Sequence, residues 1–344
     1  LDYKKQILDT FPIDTKSVTQ RPFKSINKDS RLFKIDPEKS SLIDSSDVQI
    51  YLIDTSAGRE IACHPHIVSN QLSDLCLKAA EEFVNLLYEL HLISEYSGIL
   101  HILRGSLGYM THMVLQKLPI INIRTQYIYN SFRNHLDDFK KIKVTFSDFD
   151  NSNFDSLIIP DTYATGKSAE AALNYLFEKK IEVEHIIMYG FIAIPAIVRI
   201  NKLLQNFECD LYVFAICDIP QLCSNYYDMP LYGLDEYLYK QQRITRKLGS
   251  IVSEETLSKM LPWYIPGMDQ PGDWSERHDW LFNGYKNENG NIIGHLLRSI
   301  EFIESLNSLN STQKWYNEKI NKLTMKEIKN CKKNLKFQQK LSLN

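Results

Sequence analysis

Between residues 72 and 90 the apolar positions Leu72, Leu75, Cys76, Ala79, Ala80, Phe83, Leu86, Leu87 and Leu90 recur three and four apart. That spacing draws one continuous stripe and predicts a long amphipathic helix. Before it, residues 1–60 are polar and irregular, with one predicted strand at 48–53, and read as an arm. From about Ser97 the pattern changes to short apolar runs at 98–103, 120–123, 157–159, 185–193 and 211–216. Helical stretches near 107–116, 169–177 and 196–204 alternate with them. Apolar strands alternating with helices predict an α/β fold with a parallel sheet flanked by helices. Ligands of such sheets sit at the carboxyl ends of the strands. Arg104 and Asp161 fall at two of those ends.

Residues 236–262 are charged and helix-prone and read as an insertion in a domain spanning 61–290. A Pro-, Gly- and Trp-rich loop fills 263–290, and helical periodicity returns over 291–344. The 344 residues are 44% hydrophobic, enough for a large core, and the formal net charge is −2. Bulk attraction to nucleic acid or to an anionic membrane is therefore not expected. The segment from Lys314 onward holds nine Lys and two Glu, which reads as a solvated helix face, with RNA contact the less favoured alternative. No apolar run reaches the length of a membrane span, and Leu1–Lys5 shows no apolar signal-peptide run. None of the six cysteines forms a Cys-x-x-Cys pair. A reducing, cytoplasmic setting is expected.

The richest stretch runs from the strand at 157–159 through Pro160, Asp161, Thr162 and Tyr163 into Ala164, Thr165, Gly166, Lys167 and Ser168. An Ala-rich helix follows. A small-residue turn at a helix N-terminus offers backbone N–H groups, hydroxyls and the positive end of the helix dipole to a phosphate. The carboxylate at the strand end suits ribose hydroxyls or a cation. Gly166-Lys167-Ser168 also evokes a Walker A loop, but that motif needs glycine at position 161, where Asp161 stands. An ordinary capped strand–turn–helix is the remaining reading. His64 and His66 flank Pro65. In an extended chain the two rings are expected to point apart, so no metal held directly by protein ligands is expected.

Ala164-Thr165-Gly166-Lys167-Ser168-Ala169 closely resembles the phosphoribosyl-pyrophosphate (PRPP) loop of type I phosphoribosyltransferases, most of all the uracil enzymes. Leu103-Arg104-Gly105-Ser106-Leu107 resembles their pyrophosphate loop. Arg124, then Tyr127, Tyr129, Arg133 and the lysines of 140–143, resembles the strand-end Arg and the mobile flap. Gly190 to Pro195 and 211–218 resemble the two following strand segments. The resemblance covers about 60–285. It implies a type I phosphoribosyltransferase fold with a hood of C-terminal loops. It also implies PRPP and uracil or a related nucleobase as substrates and Mg²⁺ as cofactor. Helical N- and C-terminal extensions are expected as well, and their apolar stripes, which need burial, predict a homo-oligomer. PRPP contacts would come from Arg104, Gly105, Ser106, Arg124, Asp161, Thr162, Ala164, Thr165, Gly166, Lys167 and Ser168, with Arg104 and Asp161 in catalytic positions. Two segments compete for the base loop. Tyr264, Ile265, Pro266, Gly267, Asp269 and Asp273 match the family loop better. Tyr227, Pro230, Gly233 and Asp235 have the expected spacing after Asp218. The chain departs from the family in its Pro160-Asp161 order, in Lys167 where a Gly is usual, and in Trp274 where an Arg is usual. A non-catalytic protein that binds PRPP or a nucleotide is the alternative.

Overall fold

The computed structural model describes residues 3–43, 48–127, 142–150 and 152–342. Tyr129, Arg133, Lys140 and Lys141 of the expected flap lie outside the described residues. Nine strands form the main sheet: β1 (Val18–Arg21), β2 (Arg31–Ile35), β3 (Gln49–Asp54), β4 (Gly98–Leu103), β5 (Ile120–Tyr127), β6 (Ile142–Asp148), β7 (Phe154–Tyr163), β8 (Val183–Ile192) and β9 (Asp210–Ile216). Their order is β1-β2-β3-β9-β8-β7-β4-β5-β6. Every neighbouring pair from β3 across to β5 is parallel, and the outer pairs β1–β2, β2–β3 and β5–β6 are antiparallel.

The helices are α1 (Tyr3–Thr10), α2 (Ser56–Cys63), α3 (Ser69–Glu89), α4 (Thr111–Val114), α5 (Lys167–Glu178), α6 (Ile194–Leu204), α7 (Glu236–Gln242), α8 (Glu254–Met260), α9 (Ile292–Ser311) and α10 (Glu318–Leu341). Alternation along the strands feeds two cores. Ile158 and Ile187 face one core with the apolar stripe of α3 and the buried residues of α9 and α10. Leu157, Ile159, Ile186 and Met188 face the other, with Leu173 of α5 and Ile197 of α6. A central sheet covered on both faces explains why β4 is buried at all six positions. All nine lysines of 314–340 are exposed, on the face of the C-terminal segment opposite its buried Ile320, Ile328 and Cys331.

The first sixty residues differ from the expected arm. They add β1, β2 and β3 to one side of the sheet, and Ile7 and Phe11 of the α1 region are buried in a core. The short edge strand β1 has only one apolar residue, and edge strands need little burial, so periodicity carried no sign of it. The helix expected near 107–116 is instead a 3₁₀ turn at Gly105–Tyr109 followed by the single turn of α4. The stretch 236–262 holds α7 and α8, and its Ser250–Val252 pairs antiparallel with Asp218–Pro220. Among the described residues no helix is long and apolar enough to cross a membrane.

Candidate active site

β7 runs through Asp161 to Tyr163, and Ala164, Thr165 and Gly166 then turn the chain into α5. Gly166 caps the helix at φ 75°, in the left-handed region, and a Cβ there would lie 3.0 Å from Ala196 Cα. Only glycine fits both demands. The turn therefore presents the N-terminus of a twelve-residue helix toward the end of the sheet. Arg199 of α6 braces it from behind, donating from Nε to Thr165 O at 2.8 Å and from an amino group to Glu170 at 2.9 Å. The Tyr127 hydroxyl, at the end of β5, meets Ser168 and Thr165. Arg199→Ala removes the brace and a positive charge behind the turn. It is expected to leave the fold intact and weaken binding of a phosphorylated ligand about tenfold, measured by titration calorimetry.

Asp161 sits two residues before the end of β7, opposite Gly190 of β8. Burial pushes its carboxyl up to about 7. Hydrogen bonds from the Thr162 N–H and the Ser106 hydroxyl pull the other way and do not offset it. The Ser106 proton is shared, since the same oxygen also lies 3.0 Å from Ile102 O. Asp161 is thus a carboxyl poised to ionise near neutrality when a cation or a donor-rich ligand arrives.

Facing it, β4 ends at a cis Leu103–Arg104 peptide. The Arg104 guanidinium is held by two carboxylates, Glu276 and Glu288, the latter at 3.1 Å. Arg124, on β5, donates to Asn283 O at 2.9 Å. Trp274 donates from Nε1 to Gly105 O at 2.9 Å and stacks on Tyr109, with ring centroids 4.4 Å apart. Tyr109 in turn meets the Thr162 hydroxyl at 2.6 Å. These groups border a cavity of about 850 Å³. Arg104, Gly105 and Arg124 form one wall, Asp161, Thr162, Ala164 and Ser168 a second. Tyr227, Asp273, Trp274, Glu276 and Arg298 form the third. The volume lies within the usual range for small-molecule sites.

Most residues of the expected PRPP contacts thus come together. The Ser106 hydroxyl bonds Asp161, Thr165 and Gly166 belong to the turn itself, and Lys167 is the first residue of α5. Both base-loop segments reach the cavity: Tyr227 and Met229 from one, Pro271, Gly272 and Asp273 from the other, so that each brings one of its named candidates, Tyr227 and Asp273. Asp273 accepts from Arg298 Nε at 2.7 Å. The other candidates do different work. Tyr264 is fully buried, and its hydroxyl accepts from the Leu231 N–H at 2.9 Å. Ile265 is buried in the core. Pro266 O accepts from Asn310 at 2.9 Å, and Gly267, at φ 90°, packs against Leu306. Asp269 accepts from the Met229 N–H at 2.8 Å and its backbone bridges to Pro230. A Cβ on Gly233 would fall 2.0 Å from Gly267 N, so this glycine serves close packing. Asp235 caps α7 and accepts from Ser224. Lys143 is exposed on β6, outside the cavity wall.

Arg199, Glu276, Glu288 and Arg298 were not singled out from sequence, because isolated charged residues in a helix or loop carry no local signal. Trp274 was visible only as a departure from the resembled loop. The pair His64 and His66 also differs from expectation. Ile67 N–H bonds back to His64 O at 3.0 Å, which closes a turn, and both rings converge on Glu327 instead of pointing apart.

No family model matches the chain, and no curated protein matches it. Among solved structures it is similar to the AQ2163 protein from Aquifex aeolicus, with 15% identity over 52% of this chain and 91% of that one, at a TM-score of 0.39. It is similar to purine phosphoribosyltransferase from Pyrococcus horikoshii Ot3, with 18% identity over 43% and 85%, TM-score 0.27. It is also similar to adenine phosphoribosyl transferase from Trypanosoma brucei in complex with AMP, pyrophosphate and ribose-5-phosphate, with 12% identity over 48% and 83%, TM-score 0.32. All three scores are low.

Proposed function

We propose that the chain is a phosphoribosyltransferase that moves phosphoribose from PRPP to a nucleobase, uracil or a related one. The observation that carries this reading is one cavity bordered by the Asp161–Ser168 strand–turn–helix on one side and by Arg104 on the other. The helix N-terminus suits the 5′-phosphate, Asp161 the ribose hydroxyls, and Arg104 with Arg124 the diphosphate. In the transfer, the bond from the anomeric carbon to a pyrophosphate oxygen breaks. A bond from a ring nitrogen of the base to that carbon forms, the nitrogen gives up its proton, and pyrophosphate leaves. Positive charge on the sugar and negative charge on the leaving group grow together, so the chain's part is positioning and charge neutralisation. Mg²⁺ fits the donor set, because the hard carboxylate oxygens of Asp161, Asp273 and Glu276 line the same cavity. Asp161 would hold it at the cavity wall, and it would supply charge neutralisation at the departing diphosphate. Trp274 and Asp273 line the same cavity and are the candidates to face the base.

A second reading is a non-catalytic PRPP- or nucleotide-binding protein. It is favoured by the two carboxylates on Arg104, which stand where a diphosphate would bind. Incubation with PRPP, Mg²⁺ and each nucleobase in turn, followed by assay of pyrophosphate, separates the two. Base-dependent release is the outcome expected for the enzyme; binding of PRPP without release is expected for the regulator.

The Asp161 carboxyl gives the site a pH signature. Its value in the folded protein is raised to about 7, so it is protonated below that and ionised above. A ligand that needs the carboxylate then binds more weakly as pH falls, with a slope approaching about tenfold per unit below 7. Affinity for PRPP–Mg²⁺ is expected to rise between about pH 6 and about pH 8 and then level off. Asp161→Asn supplies the reference for titration of the ligand's own phosphates. Identical pH profiles for the two proteins would remove Asp161 from the binding step.

A further inference from the structure

We propose that His64, His66 and Glu327 form a binding site for a divalent transition-metal ion, best suited to zinc, that fastens α10 to the turn after α2. His64 Nδ1 lies 3.1 Å from one Glu327 oxygen, and His66 Nδ1 contacts the other. One donor atom from each residue lies within 4.8 Å of the other two. Two imidazole nitrogens and one carboxylate oxygen are the donor set of many three-ligand zinc sites, with water completing the tetrahedron. Small rotations of the two rings would bring the donors to the ~2.0–2.1 Å that zinc asks of nitrogen.

The backbone that carries the two histidines is fixed in a way that a surface pair would not need. Its three consecutive carbonyls are each held by a side chain from a different part of the chain. Arg277 donates to His64 O at 3.1 Å, His295 Nε2 to Pro65 O at 2.8 Å, and Asn334 to His66 O at 2.6 Å. Arg277 is itself fully buried and bonds Ile67 O as well. Ligands on a backbone pinned by outer contacts are the usual mark of a prepared metal site. Access is also provided: the two histidine side chains are 18% and 20% exposed, whereas Glu327 is 2% exposed. An ion can enter past the rings and meet a buried carboxylate. The site is separate from the cavity of the proposed transfer and does not depend on that reading. Without metal, the same three side chains make an imidazole–carboxylate clip, and that is the rival account.

The test is titration of the chelator-treated full chain with Zn²⁺ by calorimetry and with Co²⁺ by visible absorption. We expect one saturable equivalent. Cobalt should show the d–d bands of a low-coordinate nitrogen–oxygen site, with no thiolate charge-transfer band. Both signals should be lost in His66→Asn and in Glu327→Gln, and zinc should raise the Tm of the wild type by several degrees but not that of the variants. Because Glu327 is buried, its variant can fail to fold. Imidazole ¹⁵N NMR of the wild type then decides, with zinc expected to shift two histidines and leave the other seven unchanged. Absence of a saturable equivalent, binding unchanged in His66→Asn, a thiolate band, or unmoved histidine resonances would each overturn the site and leave the clip.

Discussion

Gly190→Ala is expected to destabilise the fold by on the order of 4 kcal/mol and to lower Tm by about 5 °C. Gly190 lies in β8 at φ 138°, a conformation that a Cβ strains. It pairs with Asp161 of β7, and an added Cβ would sit 2.1 Å from the Asp161 carbonyl oxygen. The Tyr109 ring blocks the other direction at 3.0 Å. Neither neighbour can withdraw cheaply. The first is backbone in the middle of the sheet, and the second is fully buried and stacked on Trp274. Relief would require β7 and β8 to separate beside the candidate site. Thermal and urea unfolding measure the effect, and a Tm within about a degree of wild type would show that the close approach is not needed.

Arg104→Ala is expected to slow pyrophosphate release about 10²- to 10³-fold while leaving Tm close to that of wild type. In the proposed transfer, negative charge grows on the leaving diphosphate, and a planar guanidinium at the end of β4 can meet it with two parallel hydrogen bonds. That guanidinium is engaged by Glu276 and Glu288, at side-chain exposures of 26% and 28%. A diphosphate must take Arg104 from them. Both carboxylates reach solvent, so losing Arg104 strands neither in the core. Arg104→Lys is expected to recover only part of the rate, because an ammonium keeps the charge without the fork. Steady-state pyrophosphate assays on the three proteins check this. Equal rates would place the leaving group elsewhere.

The parallel centre of the sheet was readable because its strands are buried on both faces and so appear as uninterrupted apolar runs. The phosphate turn was readable for a different reason. Its strand, carboxylate, left-handed glycine and helix start are contiguous, so chemistry and geometry share one stretch of chain. What failed depended on distant partners. β1 gains little burial at the sheet edge, and β2, though Leu32, Phe33 and Ile35 are buried, is only five residues long within a polar stretch, so 1–60 looked irregular. Tyr264 to Gly267 has the aromatic, Pro and Gly content of a ligand loop, yet the same content suits a buried turn under α9, where Asn310 and Leu306 meet it. Glu276 and Glu288 lie more than 170 residues from Arg104 in sequence, and Glu327 lies more than 260 from the histidines. No local pattern announces such convergence.

Calorimetric titration of PRPP–Mg²⁺ into the wild type and into Thr165→Ala/Lys167→Ala tests the central claim most directly. The account predicts saturable one-to-one binding to the wild type, competed by pyrophosphate. The double variant, which alters only the turn before α5 and its first residue, should bind at least about tenfold more weakly with an unchanged Tm. No measurable binding to a folded wild type, or the same affinity in both proteins, would contradict it.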